Sequence, residues 1–304
     1  MCLYPKLIKN KKYVPTKKNK GVVPPCPDER LRYVTAACGK CYECKKQKGR
    51  AWQVRLSEEI RNDPNAIFVT LTISDESWEK LRKKYSYSSE DDYIKKMVRL
   101  FLERIRKETK KSIKHWFTTE RGENNTERYH LHGLIWGDTN GELTKSLWQY
   151  GFVFIGQYVN EKTTNYVTKY ITKLDEKHKD FTPITLCSPG IGKGYLNRSD
   201  SELNRYREKK TIETYRLRNG TKINLPIYYR NKIYTEEERE KLFLEKIEKG
   251  KVWICGIECD IADEETYFKI LQEQQLEKQR LHGDDPVEWD IAKYEKRLAR
   301  QRSR

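Results

Sequence analysis

The sequence of 304 residues lacks any apolar run long enough to cross a bilayer, and this absence excludes a membrane-spanning protein. Its longest apolar-rich run covers residues 66–73, whereas a spanning helix needs about 18 apolar residues. The first residues, 1–13, include basic side chains but no apolar segment typical of a signal peptide. We therefore expect the eight cysteines to lie in a reducing cytosol, where disulfides are uncommon.

Acidic residues are the scarcer charged class, since 45 Asp and Glu stand against 62 Lys and Arg and leave a net charge of +17. The basic surplus is concentrated in residues 1–55, which hold fifteen Lys and Arg but only three acids. This surplus predicts a polyanionic partner such as nucleic acid. Repeats and low-complexity tracts are also absent, and an aromatic content of 12% favours a folded core over disorder.

Apolar patterning predicts an α+β fold in which a central antiparallel sheet is flanked by helices. Runs rich in β-branched and aromatic residues predict strands at residues 66–73, 114–121, 129–136 and 151–156. The second and third runs are separated by turn-forming residues, which favours a hairpin. Apolar residues at helical spacing predict helices at residues 50–62, 91–109 and 160–174, of which the last two are expected to pack against the sheet.

The two ends of the chain have different patterns. Residues 1–33 combine lysine runs with several prolines, which predicts an extended arm with little regular structure. From Thr235 onward the sequence predicts charged helices. We therefore expect three domains: a basic arm with a cysteine group at residues 1–48, a central α+β domain at 49–195, and a mixed then helical region at 196–304.

Two of the five histidines, His130 and His132, lie in one predicted strand. Because alternate residues of a strand point to the same face, their imidazoles are expected side by side. Glu120, on the preceding strand of the predicted hairpin, can add a carboxylate oxygen. Such a set with open coordination positions suits a catalytic Mg²⁺ or Mn²⁺ ion. The alternative is that a histidine pair on a strand is accidental.

A second pattern lies in the predicted helix at residues 160–174. Tyr166 and Tyr170 are four residues apart, so both hydroxyls can face the same point, and Lys169 and Lys173 repeat this spacing. A tyrosine hydroxyl is a weak nucleophile until a metal ion or a cation assists it. An ordinary amphipathic helix is the alternative interpretation.

The third pattern is a cysteine group near the start of the chain. Cys38, Cys41 and Cys44 can supply three thiolates, and Cys26 is a candidate for the fourth. We favour structural Zn²⁺ here. Unliganded thiols and an iron–sulfur cluster are the alternatives.

The histidine pair on a strand, followed by Tyr-x-x-Lys on a helix, resembles the HUH endonuclease superfamily of rolling-circle replication initiators, relaxases and related transposases. The second tyrosine narrows the resemblance to the replication initiators of the Microviridae, which are small single-stranded DNA phages. Further motifs resemble the gokushovirus branch and occur in order over residues 35–230: Cys38-Gly39-Lys40-Cys41-x2-Cys44, Arg50-x-Trp52, FVTLT at 68–72, Glu120, RYHLHGLIWG at 128–137 and PGIG at 189–192.

This resemblance implies an HUH-type sheet and a metal-dependent enzyme that nicks and joins single-stranded DNA at an origin. A divalent ion on His130, His132 and Glu120 would polarise the scissile phosphate. Tyr166 or Tyr170 would attack that phosphate, leaving a 5′-phosphotyrosine and a free 3′-OH. The other tyrosine would cleave the regenerated origin after one circuit, and the two lysines, Lys169 and Lys173, would steady the phosphate. The spacing leaves open which tyrosine acts first.

The resemblance also implies partners and a location. The expected partners are single-stranded DNA, the origin in replicative-form DNA, a host polymerase and, because no helicase motor is visible in the sequence, a host helicase. The expected location is the cytoplasm of a bacterial host cell. Two alternatives stay open: a relaxase or transposase that uses one tyrosine, and a non-enzymatic zinc-binding nucleic-acid protein whose functional site is the cysteine group.

Overall fold

The structure of the chain is a computed structural model that describes residues 1–17, 19–122, 127–156, 158–173, 181–284 and 289–302. The α-helices in these ranges are α1 (Tyr42–Asn62), α2 (Asp75–Lys84), α3 (Glu90–Thr109), α4 (Glu142–Leu147), α5 (Glu161–Thr172), α6 (Ser199–Glu202), α7 (Ile227–Ile233), α8 (Glu236–Lys249), α9 (Glu264–His282) and α10 (Ile291–Arg302). The strands are β1 (Lys6–Lys9), β2 (Tyr33–Ala36), β3 (Ala66–Thr72), β4 (Lys114–Arg121), β5 (Tyr129–Trp136), β6 (Val153–Gly156), β7 (Thr185–Cys187), β8 (Thr214–Arg216), β9 (Lys222–Asn224), β10 (Lys251–Ile254) and β11 (Ile257–Asp260).

The chain forms two compact units. The central unit is Lys48–Arg198, and the terminal unit combines Met1–Gln47 with Ser199–Arg304. Residues 1–47, expected to be a separate arm, thus belong to the same unit as the C-terminal region. Among the described residues, no helix is both long and apolar enough to span a membrane.

The central unit is built on an antiparallel five-stranded sheet with strand order β6-β3-β5-β4-β7, which confirms the predicted α+β class. All four predicted strands are present. The fifth strand, β7, was not predicted because three residues are too short to show a period, and it pairs with β4 alone.

The two faces of this sheet carry different helices. One face packs against the apolar stripe of α3, which includes Ile94, Met97 and Phe101. On the other face, Leu134 of β5 packs with apolar side chains of α1 and α5, including Val167. Because side chains alternate along a strand, the face that bears Leu134 also bears the two histidines of β5. The fold therefore brings α5 and the histidines to the same side of the sheet.

The terminal unit corrects the expectation of an unstructured arm at residues 1–33. β1 pairs with β2, and Leu3 and Leu7 are fully buried. They belong to a core cluster that also holds Leu271 of α9 and Leu298 of α10. The proline and lysine content masked these few apolar residues, whose partners lie more than 250 residues away and give no local period.

The predicted charged helices after Thr235 are present as α8, α9 and α10. A hairpin of β10 and β11 interrupts them. Its turn residues, Cys255 and Gly256, both have positive φ, at 50° and 100°. Two consecutive residues with positive φ give the tight turn typical of two-residue hairpin loops.

Candidate active site

The register of the β4–β5 hairpin sets the sheet side of the site. Glu120 lies opposite His130, and Thr118 lies opposite His132. These four residues share one face of the sheet, since residues i and i+2 of a strand point the same way. The hairpin therefore carries the carboxylate and both imidazoles to the face covered by α5.

His132 is the residue around which the polar contacts gather. Its Nε2 lies 2.6 Å from Oε2 of Glu120, and its Nδ1 lies 3.0 Å from the hydroxyl of Thr70 on β3. The other carboxylate oxygen of Glu120 accepts a hydrogen bond from Lys173, at the end of α5. Burial alone would raise the pKa of Glu120, but the bonds from His132 and Lys173 outweigh it and lower this pKa. Glu120 is thus held as a carboxylate.

His130 stands beside His132, with the ring centroids 6.3 Å apart. Burial, together with the charge of His132, lowers the pKa of His130 and so favours its neutral form, which is the form that binds metal ions. In this structure Glu120 contacts His132 and not its cross-strand neighbour His130. Accordingly, these three side chains do not form a group whose ligand atoms all lie within 4.8 Å.

Helix α5 positions both tyrosines against this group. The helix begins with a capping box in which Asn160 and Thr163 exchange side-chain and backbone hydrogen bonds. Tyr170 stacks on His132 with centroids 3.9 Å apart, and its hydroxyl donates to the hydroxyl of Tyr166 at 2.5 Å. Tyr166 is 47% exposed, whereas Tyr170 is 8% exposed.

The two lysines of the tyrosine motif differ in surroundings. Lys173 pairs with Glu120 inside the site, and its ammonium also lies 5.7 Å from the ring centroid of Tyr170. Lys169 is exposed on α5, three residues after Tyr166. Of the two lysines, it is therefore Lys173 that contacts the carboxylate.

Three nearby residues were missed by sequence reasoning. Thr70 contacts His132, and Phe68 lies 5.6 Å from the ring of Tyr166. The third is Phe154 on β6, which is paired with Thr70 and remains 53% exposed. The alternation of β3 was the available signal, because it assigns residues 68 and 70 to the same face as each other.

The predicted cysteine group lies in the terminal unit. Cys38, Cys41 and Cys44 come together there, but with Cys2 and not with Cys26. The thiol of Cys26 instead donates to the carbonyl of Asp28 at 3.0 Å. No spacing rule pointed to Cys2, since 35 residues separate it from Cys38.

Comparison with known proteins relates this site to replication-associated proteins. Residues 66–175 match a family model of replication-associated proteins of the ORF2 type. The matched segment begins with β3 and extends beyond α5, so it contains the carboxylate, both histidines and both tyrosines described above.

The chain is also similar to the replication-associated protein VP4 of Bdellovibrio phage phiMH2K, with 26% identity over 219 residues. The alignment covers 64% of this chain and 66% of the phage protein. The chain thus spans just under two thirds of the length of this curated relative. No solved structure matches the chain.

Proposed function

We propose that the chain is a rolling-circle replication initiator of a small single-stranded DNA phage, of the HUH type found in Microviridae. In this proposal it nicks and rejoins single-stranded DNA at an origin through a covalent phosphotyrosine. The similarity to a phage replication-associated protein supports the biological role. The match over residues 66–175 supports the central unit as the part that carries it.

The observation that carries the chemical part of the proposal is the pairing of two tyrosine hydroxyls beside an imidazole and a carboxylate. Tyr166 and Tyr170 are 2.5 Å apart at their oxygens, and Tyr170 stacks on His132. His132 in turn contacts Glu120. A purely structural amphipathic helix has no need to direct two phenols at a charged group on a sheet.

The donor set fits a divalent ion such as Mn²⁺ or Mg²⁺, because it offers one carboxylate and two imidazoles. Glu120, His130 and His132 would hold the ion. Thr70 supports this role, since its hydroxyl at Nδ1 of His132 leaves Nε2 for a ligand. The buried hydroxyl of Thr118 also points to a bound group here, as it lacks a hydrogen-bond partner in the described part of the chain. When bound, the ion would act as a Lewis acid on the scissile phosphate.

We assign the first attack to Tyr166, since it is more exposed than Tyr170. The hydroxyl of Tyr170 donates to the oxygen of Tyr166, and this bond would stabilise the negative charge that grows as the Tyr166 proton leaves. The Tyr166 oxygen then bonds to phosphorus, and the bond from phosphorus to the 3′-oxygen breaks. The 3′-oxygen takes up a proton and becomes the 3′-OH that a host polymerase extends.

Tyr170 would act after one circuit of synthesis. Once Tyr166 is esterified, its phenol oxygen no longer accepts from Tyr170 in the same way, and the hydroxyl of Tyr170 becomes available for the regenerated origin. Lys173 would offset the negative charge of the phosphate from its place beside Glu120. Lys169 would contact the phosphate from the exposed side of α5.

The DNA strand would lie across the edge of the sheet that carries β6. Phe152 and Phe154 are 70% and 53% exposed, and bases can stack on such rings without sequence preference. The basic residues in 1–55 and 297–304 would add salt-dependent contacts to phosphates. The protein would act in the cytoplasm of a bacterial host, where a host helicase separates the strands.

The direct test incubates the purified chain with Mn²⁺ and labelled single-stranded fragments of the genome that encodes it, followed by a denaturing gel. We expect a DNA adduct that chelation prevents. The double variant His130→Ala, His132→Ala and the variant Glu120→Gln should lose the adduct but keep DNA binding. His115→Gln is the matched control, because His115 lies on the opposite face of β4 and packs beside Phe117.

No adduct with any divalent metal, combined with tight DNA binding, would overturn the proposal. That result would favour a non-enzymatic zinc-binding nucleic-acid protein.

A further inference from the structure

Four cysteine thiols converge in the terminal unit, in a place that the proposed reaction does not use. The Sγ atoms of Cys2, Cys38, Cys41 and Cys44 all lie within 4.8 Å of one another. Within the described ranges, no other group of three or more His, Cys, Asp or Glu side chains is gathered this closely. All four residues carry free thiols, so no disulfide explains the cluster.

We propose that these four thiolates bind one structural Zn²⁺ ion and that Cys2 is the fourth ligand. Tetrahedral zinc with bonds of about 2.3 Å to sulfur places its thiolates roughly 3.8 Å apart. The sulfurs of Cys38 and Cys44 are 3.8 Å apart. The cluster therefore already has the spacing that a tetrahedral tetrathiolate site requires.

Backbone N–H groups point at two of the sulfurs. Cys2 accepts from the N–H groups of Tyr4 at 3.3 Å and Cys38 at 3.2 Å. Cys38 accepts from the N–H of Cys41 at 3.4 Å. Gly39 permits this turn with a φ of +78°, a backbone conformation that residues with a side chain rarely adopt. Donors directed at sulfur stabilise the thiolate, which is the form that binds zinc.

The start of α1 adds to this preference for negative charge. Cys41 immediately precedes the helix, and Cys44 lies in its first turn. A helix N-terminus carries a partial positive charge that stabilises anions within about one turn. A second anion, the carboxylate of Asp284, already caps the N–H of Tyr42 at 3.0 Å.

The burial of the cluster indicates a structural site and not a catalytic one. Cys2, Cys41 and Cys44 are buried in the core of the terminal unit, together with Leu3 and Tyr267. Four protein ligands also leave no open position for a substrate or water. The ion would tie the first residues of the chain to the start of α1, which is why the apparently arm-like sequence folds.

The experiment measures zinc in the full-length protein purified without added metal, by inductively coupled plasma mass spectrometry. We expect one zinc per chain. After removal of this zinc, Co²⁺ should restore the intense thiolate-to-cobalt charge-transfer band and the visible bands of tetrahedral cobalt. An iron signal with a brown colour, or a chain without metal whose cysteines are disulfide-bonded, would overturn the proposal.

Two cysteine variants test the choice of ligands. Cys2→Ser should weaken Co²⁺ binding at least tenfold and reduce the charge-transfer intensity by about a quarter, since one of four thiolates is lost. Cys26→Ser is the matched control and should bind like the wild type. A variant Cys2→His, which keeps a zinc ligand, should retain tetrahedral cobalt if Cys2→Ser fails to fold. Full zinc content in Cys2→Ser, or its loss in Cys26→Ser, would contradict the assignment.

This inference does not depend on the proposed nuclease reaction. The zinc readouts contain no DNA, so a chain that binds zinc but forms no DNA adduct would disprove only the reaction. A chain that forms the adduct but holds no zinc would disprove only this site.

Discussion

The aromatic ring of Tyr170 lies flat on the imidazole of His132, with centroids 3.9 Å apart and planes 4° from parallel. Tyr170 belongs to α5 and His132 to β5, so this contact fixes the helix with both tyrosines against the strand with both histidines. The hydroxyl of Tyr170 reaches Tyr166 and Nε2 of His132 reaches Glu120. One stacked pair therefore aligns the proposed nucleophiles with the proposed metal ligands.

Thr70 tests the support of the metal ligand. Thr70→Val removes the hydroxyl that lies 3.0 Å from Nδ1 of His132 while keeping the shape of the side chain. We expect the Mn²⁺ concentration needed for half-maximal adduct formation to rise about 10–100-fold, as for other partners of metal-bound histidines. Thr70→Ser keeps the hydroxyl and should behave like the wild type. Equal metal dependence in all three proteins would show that Thr70 does not orient His132.

Phe154 tests the path of the DNA. It lies on the edge strand β6, opposite Thr70, which is also the partner of His132 in the ladder. Phe154→Ala should weaken binding of single-stranded DNA by about 1–3 kcal/mol, the usual value of one stacked base. Fluorescence anisotropy measures this change. Leu276→Ala, which removes a similarly exposed apolar side chain from α9, should leave affinity unchanged. Equal losses in both variants would contradict a specific stacking role.

His115 gives a pH-dependent contribution to stability. Burial lowers the pKa of His115 below its ordinary value of 6.5, although a hydrogen bond to the carbonyl of Ile113 opposes the shift. As the pH falls below about 6.5, the unfolded chain therefore takes up a proton that the folded chain resists. Stability should decrease over this range and level off once the folded form also protonates.

The check on His115 is urea unfolding of the wild type and His115→Gln at several pH values between about 8 and 5. The wild type should lose more unfolding free energy on acidification than the variant, because glutamine does not titrate. Parallel pH profiles for the two proteins would show that His115 makes no such contribution.

Gly133 tests the packing of the hairpin that carries the histidines. A Cβ atom at this position would lie 2.2 Å from the carbonyl oxygen of Trp116 and 2.4 Å from the ring of Phe117. Since the first neighbour is backbone, it cannot move aside, and Gly133→Ala should destabilise the chain by at least about 3 kcal/mol. Thermal unfolding measures the change. Gly194→Ala, whose Cβ would make contacts of 3.4 Å to Asn62, is the control and should cost much less.

Sequence reasoning predicted the parts of the fold whose signal is local. The stripe Ile94, Met97 and Phe101 has a clear helical period, and the run at residues 66–73 is bounded by turn formers, so α3 and β3 were found close to their true limits. Strand alternation also sufficed to expect His130 and His132 on one face. Each of these features depends on residues that are neighbours in the sequence.

Features created by distant pairings were missed or misassigned. Cys26 is closer in sequence to the cysteine group than Cys2, but the pairing of β1 with β2 brings Cys2 near Cys38. Likewise, Thr70 contacts His132 only because β3 lies next to β5 in the sheet, across 62 residues of chain. Strand order and register decide both contacts, and neither follows from local periodicity.

The adduct assay with tyrosine variants tests the central claim most directly. The wild type, Tyr166→Phe, Tyr170→Phe and the double variant are incubated with Mn²⁺ and origin-containing single-stranded DNA, and the covalent product is measured on a denaturing gel over time. The account predicts a metal-dependent adduct in both single variants, formed more slowly by Tyr166→Phe, and none in the double variant. An adduct that persists in the double variant, or that disappears in one single variant while the other is unaffected, would contradict two cooperating tyrosines.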